Sequence, residues 1–367
     1  MTEQELSAYI QAIRPADEAA MEAARRRQAQ LAKPPGSLGQ LEEISIRLAG
    51  VTGQVCPAMG KCRVAVFAAD NGVVAEGVSC TPPAVTMQQA VNMTFRKTGM
   101  SAMAAAFGDD VSVVDVGIDG DVPPVGVLGR KVRRGTGDIA REDAMTRQQV
   151  LDAMAAGMEQ AARARADGVT ALGIGEMGIG NTTTSAAVLA ALTGADIEAV
   201  TGRGGGLTDE GFLRKKEVLR QALALHRPDG NDVIGVLAGV GGLDLAAMTG
   251  AFLGCAHERV PAAVDGFISI AAALCAVRLC PAVRDVLFLS HDSYEVGYRI
   301  AAEALGLQPC LRLGMRLGEG SGCPLLFRVL EGACGVMRGM ATFGEASIED
   351  SYLDEIRAVD AFTVEGA

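Results

Sequence analysis

The sequence is poor in residue types that mark several classes of protein. In 367 residues it contains no tryptophan, 4 tyrosines and 3 histidines. The histidines (His226, His257 and His291) are far apart, and no pair has the spacing of metal ligands, so we expect no metal site. Aromatic residues make up 4% of the chain and hydrophobic residues 49%. We therefore expect a core of Ala, Val, Leu, Ile and Met, as in layered α/β proteins.

Positive charge is also scarce. The chain has 33 Lys and Arg residues against 44 Asp and Glu residues, and its formal net charge is −11. A general nucleic-acid-binding protein needs a basic face, so we expect no nucleic-acid partner. A local anion site built from backbone amides remains compatible with this charge.

The cysteines do not form a disulfide pattern. There are 9 of them, an odd number, and they are scattered without a CxxC motif. Such scattered cysteines usually serve as small core residues, and they indicate a reducing compartment. The polar, acidic N-terminus does not resemble a signal peptide, and Asp265 interrupts one of the longer apolar runs. We expect a cytoplasmic protein without a membrane partner.

Apolar runs predict the strands of an α/β fold. They alternate with helical segments at spacings that require crossover connections, which favours a Rossmann-like, mostly parallel six-stranded sheet flanked by helices. The predicted strands are 63–69, 111–116, 169–172, 233–238, 262–268 and 286–289, and a last apolar run covers 311–317.

The two ends of the chain contain no predicted strand. Residues 1–32 are typical of a helix broken near Pro15, 41–48 resume a helical period, and 347–355 predict a final acidic helix. We expect residues 1–60 and 335–367 to form a small helical lobe beside a large α/β domain of residues 61–334.

A glycine-rich stretch, GIGEMGIGNTTTSAA at 173–187, lies between a predicted strand and a predicted helix at 186–192. We interpret it as a turn, with Asn181, Thr182 and Thr183 as candidate N-caps. Backbone N–H groups at such a turn, with the helix dipole behind them, favour anion binding. Glu176 lies inside this stretch. It is either a solvated acid of an ordinary turn or a functional group.

Glu319, in GEGSG, is the second glutamate embedded in glycine, and the same two interpretations apply. Shielding from water raises the pKa of such a carboxyl group toward the range of a general base. Asp265 lies in an apolar run and therefore needs polar partners. His291, in SHDSYE, is either an acid–base group or a capping residue.

The stretch TGRGGGLT at 201–208 matches neither a dinucleotide fingerprint nor a Walker A motif. It could hold a phosphate, with Lys215 or Lys216 on the helix that follows. The alternative for both lysines is a solvated helix face.

Taken in order, several stretches resemble one family. They are LAKPPGSLGQLE, FAADNGV, GTGDIA, GIGEMGIGNTTTSAA, TGRGGGL, GGLDLAAMTG, DGFISIAAA, SHDSYEVGY and LRLGMRLGEGSG. The series is similar to nicotinate-nucleotide–dimethylbenzimidazole phosphoribosyltransferase, which serves the lower-ligand branch of cobalamin assembly. The likeness runs from about residue 33 to about residue 336.

The resemblance implies a reaction and its residues. Nicotinate mononucleotide and a base, typically 5,6-dimethylbenzimidazole, would give nicotinate and α-ribazole 5′-phosphate without a metal or other cofactor. Glu319 matches the catalytic glutamate, and Glu176 would lie near the ribose. The nucleotide and phosphate site would comprise Gly178, Gly180, Asn181, Thr182, Gly202, Arg203, Gly204, Gly205, Lys215 and Asp265; the base site would comprise Ser79, Thr81, Gln88, Met177 and Leu317. The family also implies a homodimer.

The chain departs from the family pattern near the expected base site. Asn71 stands where typical members have the histidine of D-H-G-V, and Thr81 stands where many have the tyrosine of S-x-Y-P. These departures leave the acceptor base open. Two alternative functions are a non-catalytic or heterodimer-forming relative and a Rossmann dehydrogenase. The missing dinucleotide fingerprint argues against the dehydrogenase.

Overall fold

A computed structural model describes residues 1–123 and 125–355. Its centre is a sheet of six parallel strands in the order β3-β2-β1-β4-β5-β6. The predicted α/β class with a six-stranded sheet is therefore confirmed. The strands are β1 (Cys62–Ala69), β2 (Asp110–Gly117), β3 (Val127–Gly129), β4 (Ala171–Met177), β5 (Ala262–Val264) and β6 (Leu287–Leu289).

Helices connect the strands and cover the sheet. They are α1 (Glu3–Ala12), α2 (Glu18–Gln30), α3 (Gln40–Thr52), α4 (Ala84–Thr94), α5 (Gly99–Phe107), α6 (Arg147–Ala166), α7 (Asn181–Thr193), α8 (Ile197–Val200), α9 (Asp209–His226), α10 (Val233–Val240), α11 (Leu243–Glu258), α12 (Phe267–Leu279), α13 (Gly297–Leu305) and α14 (Cys323–Gly339). The predicted break near Pro15 separates α1 from α2, and the predicted resumption at 41–48 lies within α3.

One predicted strand is a helix. The run 233–238 forms α10, which Asp232 caps by accepting a hydrogen bond from the Gly235 N–H at 3.0 Å. Helices α6, α7 and α9 pack around α10, so it is apolar on every side and its sequence has no helical period. The sheet still has six strands because it includes β3, which was not predicted. The three residues of β3 are too few to show a strand pattern.

One predicted strand is shorter than expected, and the last apolar run is irregular. The run 262–268 forms a strand only to Val264, and α12 begins at Phe267 after a turn. The run 311–317 forms no strand. It contributes a single bridge, between Leu311 and His291.

The stretch 173–177 is strand rather than turn, so Glu176 is the penultimate residue of β4. The glycines in this strand serve close packing. A Cβ on Gly175 would lie 2.7 Å from the carbonyl oxygen of Glu319. The candidate N-caps are also wrong, because Gly180, at φ 94°, is the N-cap and Asn181 is already helical.

The ends of the chain pack against each other only in part. A separate apolar cluster joins α2, α3 and the end of α14, through Ala24, Leu31, Ala49 and Met337 among others. Leu6 of α1 belongs instead to the main core. The predicted lobe boundaries are not decided by these contacts and stay a prediction, and residues 356–367 of that lobe lie outside the described residues.

The predicted final helix at 347–355 is wrong for most of its length. A 3-10 turn covers Ser351–Leu353, and only the last two residues are helical. All nine cysteines are free thiols. Among the described helices, none is long and apolar enough to cross a bilayer.

Candidate active site

A cavity of about 260 Å³ lies at the carboxyl ends of β4, β5 and β6. The strand order reverses between β1 and β4, and open parallel sheets bind ligands at such a switch point. Both glutamates singled out in the sequence, Glu176 and Glu319, line this cavity. They are 7% and 5% exposed, so the solvated interpretation is wrong for both.

Backbone hydrogen bonds fix the loop that carries Glu319. Glu319 has φ 63° and lies between Gly318 and Gly320, both at φ 84°, so three successive residues are left-handed. The Glu319 N–H donates to Glu176 Oε1 at 3.1 Å. Asp265 then accepts from the N–H groups of Gly320 at 3.0 Å and Gly322 at 2.7 Å. A strained backbone held by three carboxylate oxygens keeps the Glu319 side chain in place.

The Glu319 carboxylate accepts two hydrogen bonds inside the cavity. Gln89 Nε2 donates to Oε1 at 3.2 Å, and the Met100 N–H, in the first turn of α5, donates to Oε2 at 3.3 Å. Each oxygen therefore retains the capacity to accept a further hydrogen bond.

Glu176 belongs to a buried pair of carboxyl groups. Asn181 Nδ2 donates to Glu176 Oε2 at 2.5 Å and to Asp244 Oδ2 at 3.0 Å. Burial raises the pKa of Glu176 to about 8, against the opposing effect of the Asn181 hydrogen bond. Burial also raises the pKa of Asp244 to about 6. The direction of this shift is the one that shielding from water predicts, and it favours the protonated form of Glu176.

A buried lysine lies behind the cavity wall, against Thr182 and Gly204, and does not itself line the cavity. Lys215 is 0% exposed, and its Nζ donates to Thr182 Oγ1 at 2.9 Å. A Cβ on Gly204 would lie 3.7 Å from that Nζ, so the glycine loop passes directly over the ammonium group. Burial lowers the pKa of Lys215 to about 8. Lys216, in contrast, forms an ion pair with Glu198 outside the cavity.

Glu295 is close to Lys215 and was missed in the sequence. It lines the cavity, and its Oε2 is buried without a hydrogen-bond partner among the described residues. Burial raises the pKa of Glu295, while Lys215 opposes that shift. A Cβ on Gly202 would lie 1.6 Å from Glu295 Oε2, so only glycine fits there.

Most of the predicted nucleotide-site residues line the cavity, but not all act as predicted. The residues on its wall are Gly178, Gly180, Asn181, Thr182, Arg203, Gly204 and Gly205. Gly202 lies behind the wall against Glu295, and Asp265 lies beneath the Glu319 loop. Two of the backbone amides expected to bind phosphate are already used, because the Ile179 N–H donates to Thr86 and the Asn181 N–H to Gly178.

The predicted base-site residues fall into two groups. Ser79, Thr81, Met177 and Leu317 line the cavity. Gln88 does not: it is exposed, and its neighbour Gln89 lines the cavity instead. Successive helical side chains point about 100° apart, so a one-residue error on α4 selects a different face of the helix.

Asn71 does not flank the cavity as expected. It is 3% exposed, and its Oδ1 accepts a hydrogen bond from Thr184 at 3.4 Å behind the wall. Its Nδ2 lies beside Asp244, since both would contact a Cβ placed on Gly178. This departure therefore concerns the support of Glu176 rather than the wall of the base site.

His291 lines the cavity and also lies against Asp265. It is 1% exposed, and its Nδ1 lies 3.0 Å from Ser290 Oγ and 3.8 Å from Asp265 Oδ1. It thus supports the aspartate that holds the Glu319 loop. In residues 1–123 and 125–355, no cluster of three or more His, Cys, Asp or Glu side chains has the arrangement of a metal site.

Three further side chains could not be singled out from the sequence. Asp244 and Gln89 carry no motif of their own, and Glu295 follows a run of polar residues that is typical of a loop. The signal for Asp244 is an aspartate one residue beyond the glycine pair of GGLD, and it is a weak one.

Known proteins resemble this chain over nearly its whole length. A phosphoribosyltransferase family model matches residues 13–348. The protein named nicotinate-nucleotide–dimethylbenzimidazole phosphoribosyltransferase in Clostridium perfringens (strain 13 / Type A) is 46% identical over 341 residues, which are 93% of this chain and 94% of the relative. Its namesake in Geobacter metallireducens is 45% identical over 347 residues, 94% of this chain and 98% of the relative. The crystal structure of CobT from Thermus thermophilus superimposes with a TM-score of 0.88 at 45% identity, covering 91% of this chain and 100% of that one.

Proposed function

The chain belongs to the family of nicotinate-nucleotide–dimethylbenzimidazole phosphoribosyltransferases, and we infer that it is a pentosyltransferase with that activity. It transfers the phosphoribosyl group of nicotinate mononucleotide to 5,6-dimethylbenzimidazole or a related base, giving α-ribazole 5′-phosphate and nicotinate. One observation carries the assignment of the site. A shielded carboxylate, Glu319, lines the cavity, and a shielded ammonium, Lys215, lies directly behind the part of its wall that Thr182 and Gly204 form.

The 5′-phosphate binds at Lys215 in this proposal. The Thr182 hydroxyl and the loop over Gly204 surround the ammonium group, and a phosphate there gains charge-assisted hydrogen bonds in a site shielded from water. The α7 N-terminus adds a favourable dipole, although two of its nearby amides are already bonded. Side chains therefore supply more of the phosphate site than the sequence indicated.

The base nitrogen attacks C1′ of the ribose from the α face. The bond between C1′ and the nicotinate nitrogen breaks, and its electron pair returns to the pyridine ring of nicotinate. The second ring nitrogen of the base loses its proton, and Glu319 accepts it. Gln89 and the Met100 N–H orient the carboxylate for that transfer.

Glu176 lies near the ribose in this proposal. As a neutral carboxyl group it can donate or accept a hydrogen bond with a ribose hydroxyl. Positive charge that develops at C1′ favours its ionised form and is stabilised by it.

The first test is a single incubation with nicotinate mononucleotide and a mixture of benzimidazoles, adenine and phenols, analysed by mass spectrometry. We expect a base-containing ribotide and an equal amount of nicotinate. The Glu319→Gln variant should still bind the nucleotide and lose at least about 100-fold in kcat, because general-base catalysis contributes about that much. Near-normal turnover in that variant would remove Glu319 from the proton-accepting role. No product from the wild-type protein with any base would favour a binding-only relative.

The acceptor base depends on the wall near Thr81. A tyrosine at this position would narrow the cavity beside Ser79, so Thr81→Tyr should change the ratio of products in the same mixture. An unchanged ratio would show that this position does not select the base.

Two further proposals concern the state of the protein. We propose a homodimer, which is supported by exposed apolar side chains near the cavity mouth, such as Tyr294, Val296 and Leu313. Light scattering at micromolar concentration tests it, and a monomer would contradict it. We also propose a reducing, cytoplasmic environment, which the nine free thiols support.

A further inference from the structure

Asp244 is a buried carboxylate that none of the steps above uses. It lies in the first turn of α11 and is 0% exposed. Its Oδ1 accepts a hydrogen bond from the Leu245 N–H at 2.9 Å, and its Oδ2 accepts one from Asn181 Nδ2 at 3.0 Å. Both oxygens therefore act as acceptors.

The Asn181 amide nitrogen joins this carboxylate to the active site. The same Nδ2 donates to Glu176 Oε2, so its two N–H bonds are both used. A carboxylate can only accept, so Asp244 determines which end of the Asn181 amide faces the cavity. Without it, the amide could turn and present its carbonyl oxygen to Glu176.

We propose that Asp244 is a positioning residue for Glu176 and acts through Asn181, whose amide it orients. The proposal rests on the transferase function proposed above, because it assigns Glu176 a part in that reaction. It also changes the role of Asn181 from a nucleotide contact to the link between two carboxyl groups.

The packing around Asp244 leaves this arrangement little freedom. A Cβ on Gly178 would lie 2.6 Å from Asp244 Oδ2, and a Cβ on Gly242 would lie 2.4 Å from Oδ1. The two glycines thus enclose the carboxylate. Asn71 lies beside it against the same two glycines and is itself held by Thr184.

An isosteric amide cannot take the place of this carboxylate. In Asp244→Asn, the new NH₂ group faces a donor in either orientation, the Leu245 N–H or Asn181 Nδ2. One hydrogen bond must break, and the bond to a side chain gives way more easily than the bond to a helix backbone. The variant should therefore release the Asn181 amide while keeping the volume of the site.

The kinetic test is a double-mutant cycle at pH 8 with nicotinate mononucleotide and dimethylbenzimidazole. We expect Asp244→Asn to lower kcat about tenfold and to change the nucleotide KM less than about twofold. In a Glu176→Gln background the same substitution should lower kcat less than about twofold, since its target is gone. A tenfold loss in both backgrounds, or a change in KM alone, would overturn the proposal.

Asp115→Asn is the matched control. Asp115 is 4% exposed and lies 3.3 Å from Lys131, away from the cavity. The Asp115→Asn substitution should lower thermal stability without a loss of kcat that depends on Glu176. If Asp244→Asn does not fold, Asn181→Ala replaces it, because it breaks the same link at a position where alanine favours the helix. It should show the same coupling to Glu176.

A second readout does not require turnover. The charged groups that face Glu176 are Asp244 on α11 and Asp265 after β5, which both raise its pKa, while Asn181 and the Glu319 N–H lower it. Loss of the Asn181 hydrogen bond in Asp244→Asn should raise the pKa of Glu176, measured by infrared spectroscopy with isotope-labelled glutamate. Asp244→Asn also removes a charge that raises this pKa, but the Asn181 hydrogen bond has the larger effect, so a net fall would show that this bond survives without Asp244 and would overturn the link. Absence of turnover in the wild-type protein would refute the proposed function, whereas this titration would still decide the role of Asp244.

Discussion

The buried ammonium group of Lys215 should destabilise the folded protein when no ligand is bound. Burial lowers its pKa from 10.5 to about 8, so the folded chain binds this proton less tightly than the unfolded chain does. Each tenfold change in proton affinity is worth about 1.4 kcal/mol, so the buried ammonium costs about 3 kcal/mol at neutral pH. The Thr182 hydrogen bond would be lost in Lys215→Met, at a cost of about 1 kcal/mol. We therefore expect Lys215→Met to raise the free energy of unfolding by about 2 kcal/mol.

The pH dependence identifies the cause. The cost is complete below pH 8, where the lysine is charged in both the folded and the unfolded chain. It disappears above about pH 10.5, where both are neutral. Urea unfolding of the wild-type protein and Lys215→Met at pH 7 and pH 10 should show a difference that shrinks at the higher pH.

The same variant should bind nucleotide poorly. Loss of a charge-assisted contact with phosphate is worth about 2 to 3 kcal/mol, so the KM for nicotinate mononucleotide should rise about 30- to 150-fold. Lys216→Met is the control, since Lys216 pairs with Glu198 outside the cavity and should keep its KM. A Lys215→Met protein that is less stable than wild type at pH 7, or that keeps its KM, would refute the reasoning.

Three other predictions concern the glutamates and their supports. Asp265→Asn should lower kcat at least tenfold and lower the free energy of unfolding by about 2 kcal/mol in urea. The substitution removes one of the two charge-assisted acceptors that Asp265 offers to the N–H groups of the Glu319 loop. Normal values of both quantities would show that the loop keeps its conformation without Asp265. Gly175→Ala should lower kcat with less effect on nucleotide binding, because the alanine Cβ would lie 2.7 Å from the carbonyl oxygen of Glu319 and would displace the Glu319 loop. Unchanged steady-state kinetics would mean that the reaction tolerates this displacement. Glu176→Gln should be more stable than wild type at pH 9 and should lose this advantage below about pH 4.5. Burial raises the pKa of Glu176 to about 8, so the stabilising contribution of the protonated carboxyl group in the wild type is lost as pH rises through that value. A difference in unfolding free energy that stays constant across pH would contradict the shift.

The sequence predicted the class of fold better than the identity of each strand. Alternating apolar and helical segments are enough to indicate a parallel sheet. A short apolar run, however, has no period that separates a strand from a helix buried on all sides, and α10 is such a helix. The error in β4 has a different cause. Glycines usually mark turns, but Gly173 and Gly175 lie in a strand because α14 and the Glu319 loop press against them.

The site was predictable where motifs carry the chemistry. Glu176, Glu319 and Lys215 follow from their patterns and from the family resemblance. The supports of these residues do not, because Asp244 and Gln89 reach the site only through tertiary packing. Even the choice between Gln88 and Gln89 depends on the rotation of α4, which the sequence leaves undetermined.

The helix that follows Glu319, α14, connects the Glu319 loop to a distant part of the molecule. α14 has 17 residues and is therefore about 25 Å long, with the Glu319 loop at one end and Met337 in the separate apolar cluster near the other. By simple trigonometry, a tilt of about 2° about its far end displaces its first residue by about 1 Å. A misplacement of that size in a reacting group can cost about 100-fold in rate. We therefore expect the packing between α2, α3 and α14, far from the cavity, to affect the position of the carboxylate proposed to accept the proton.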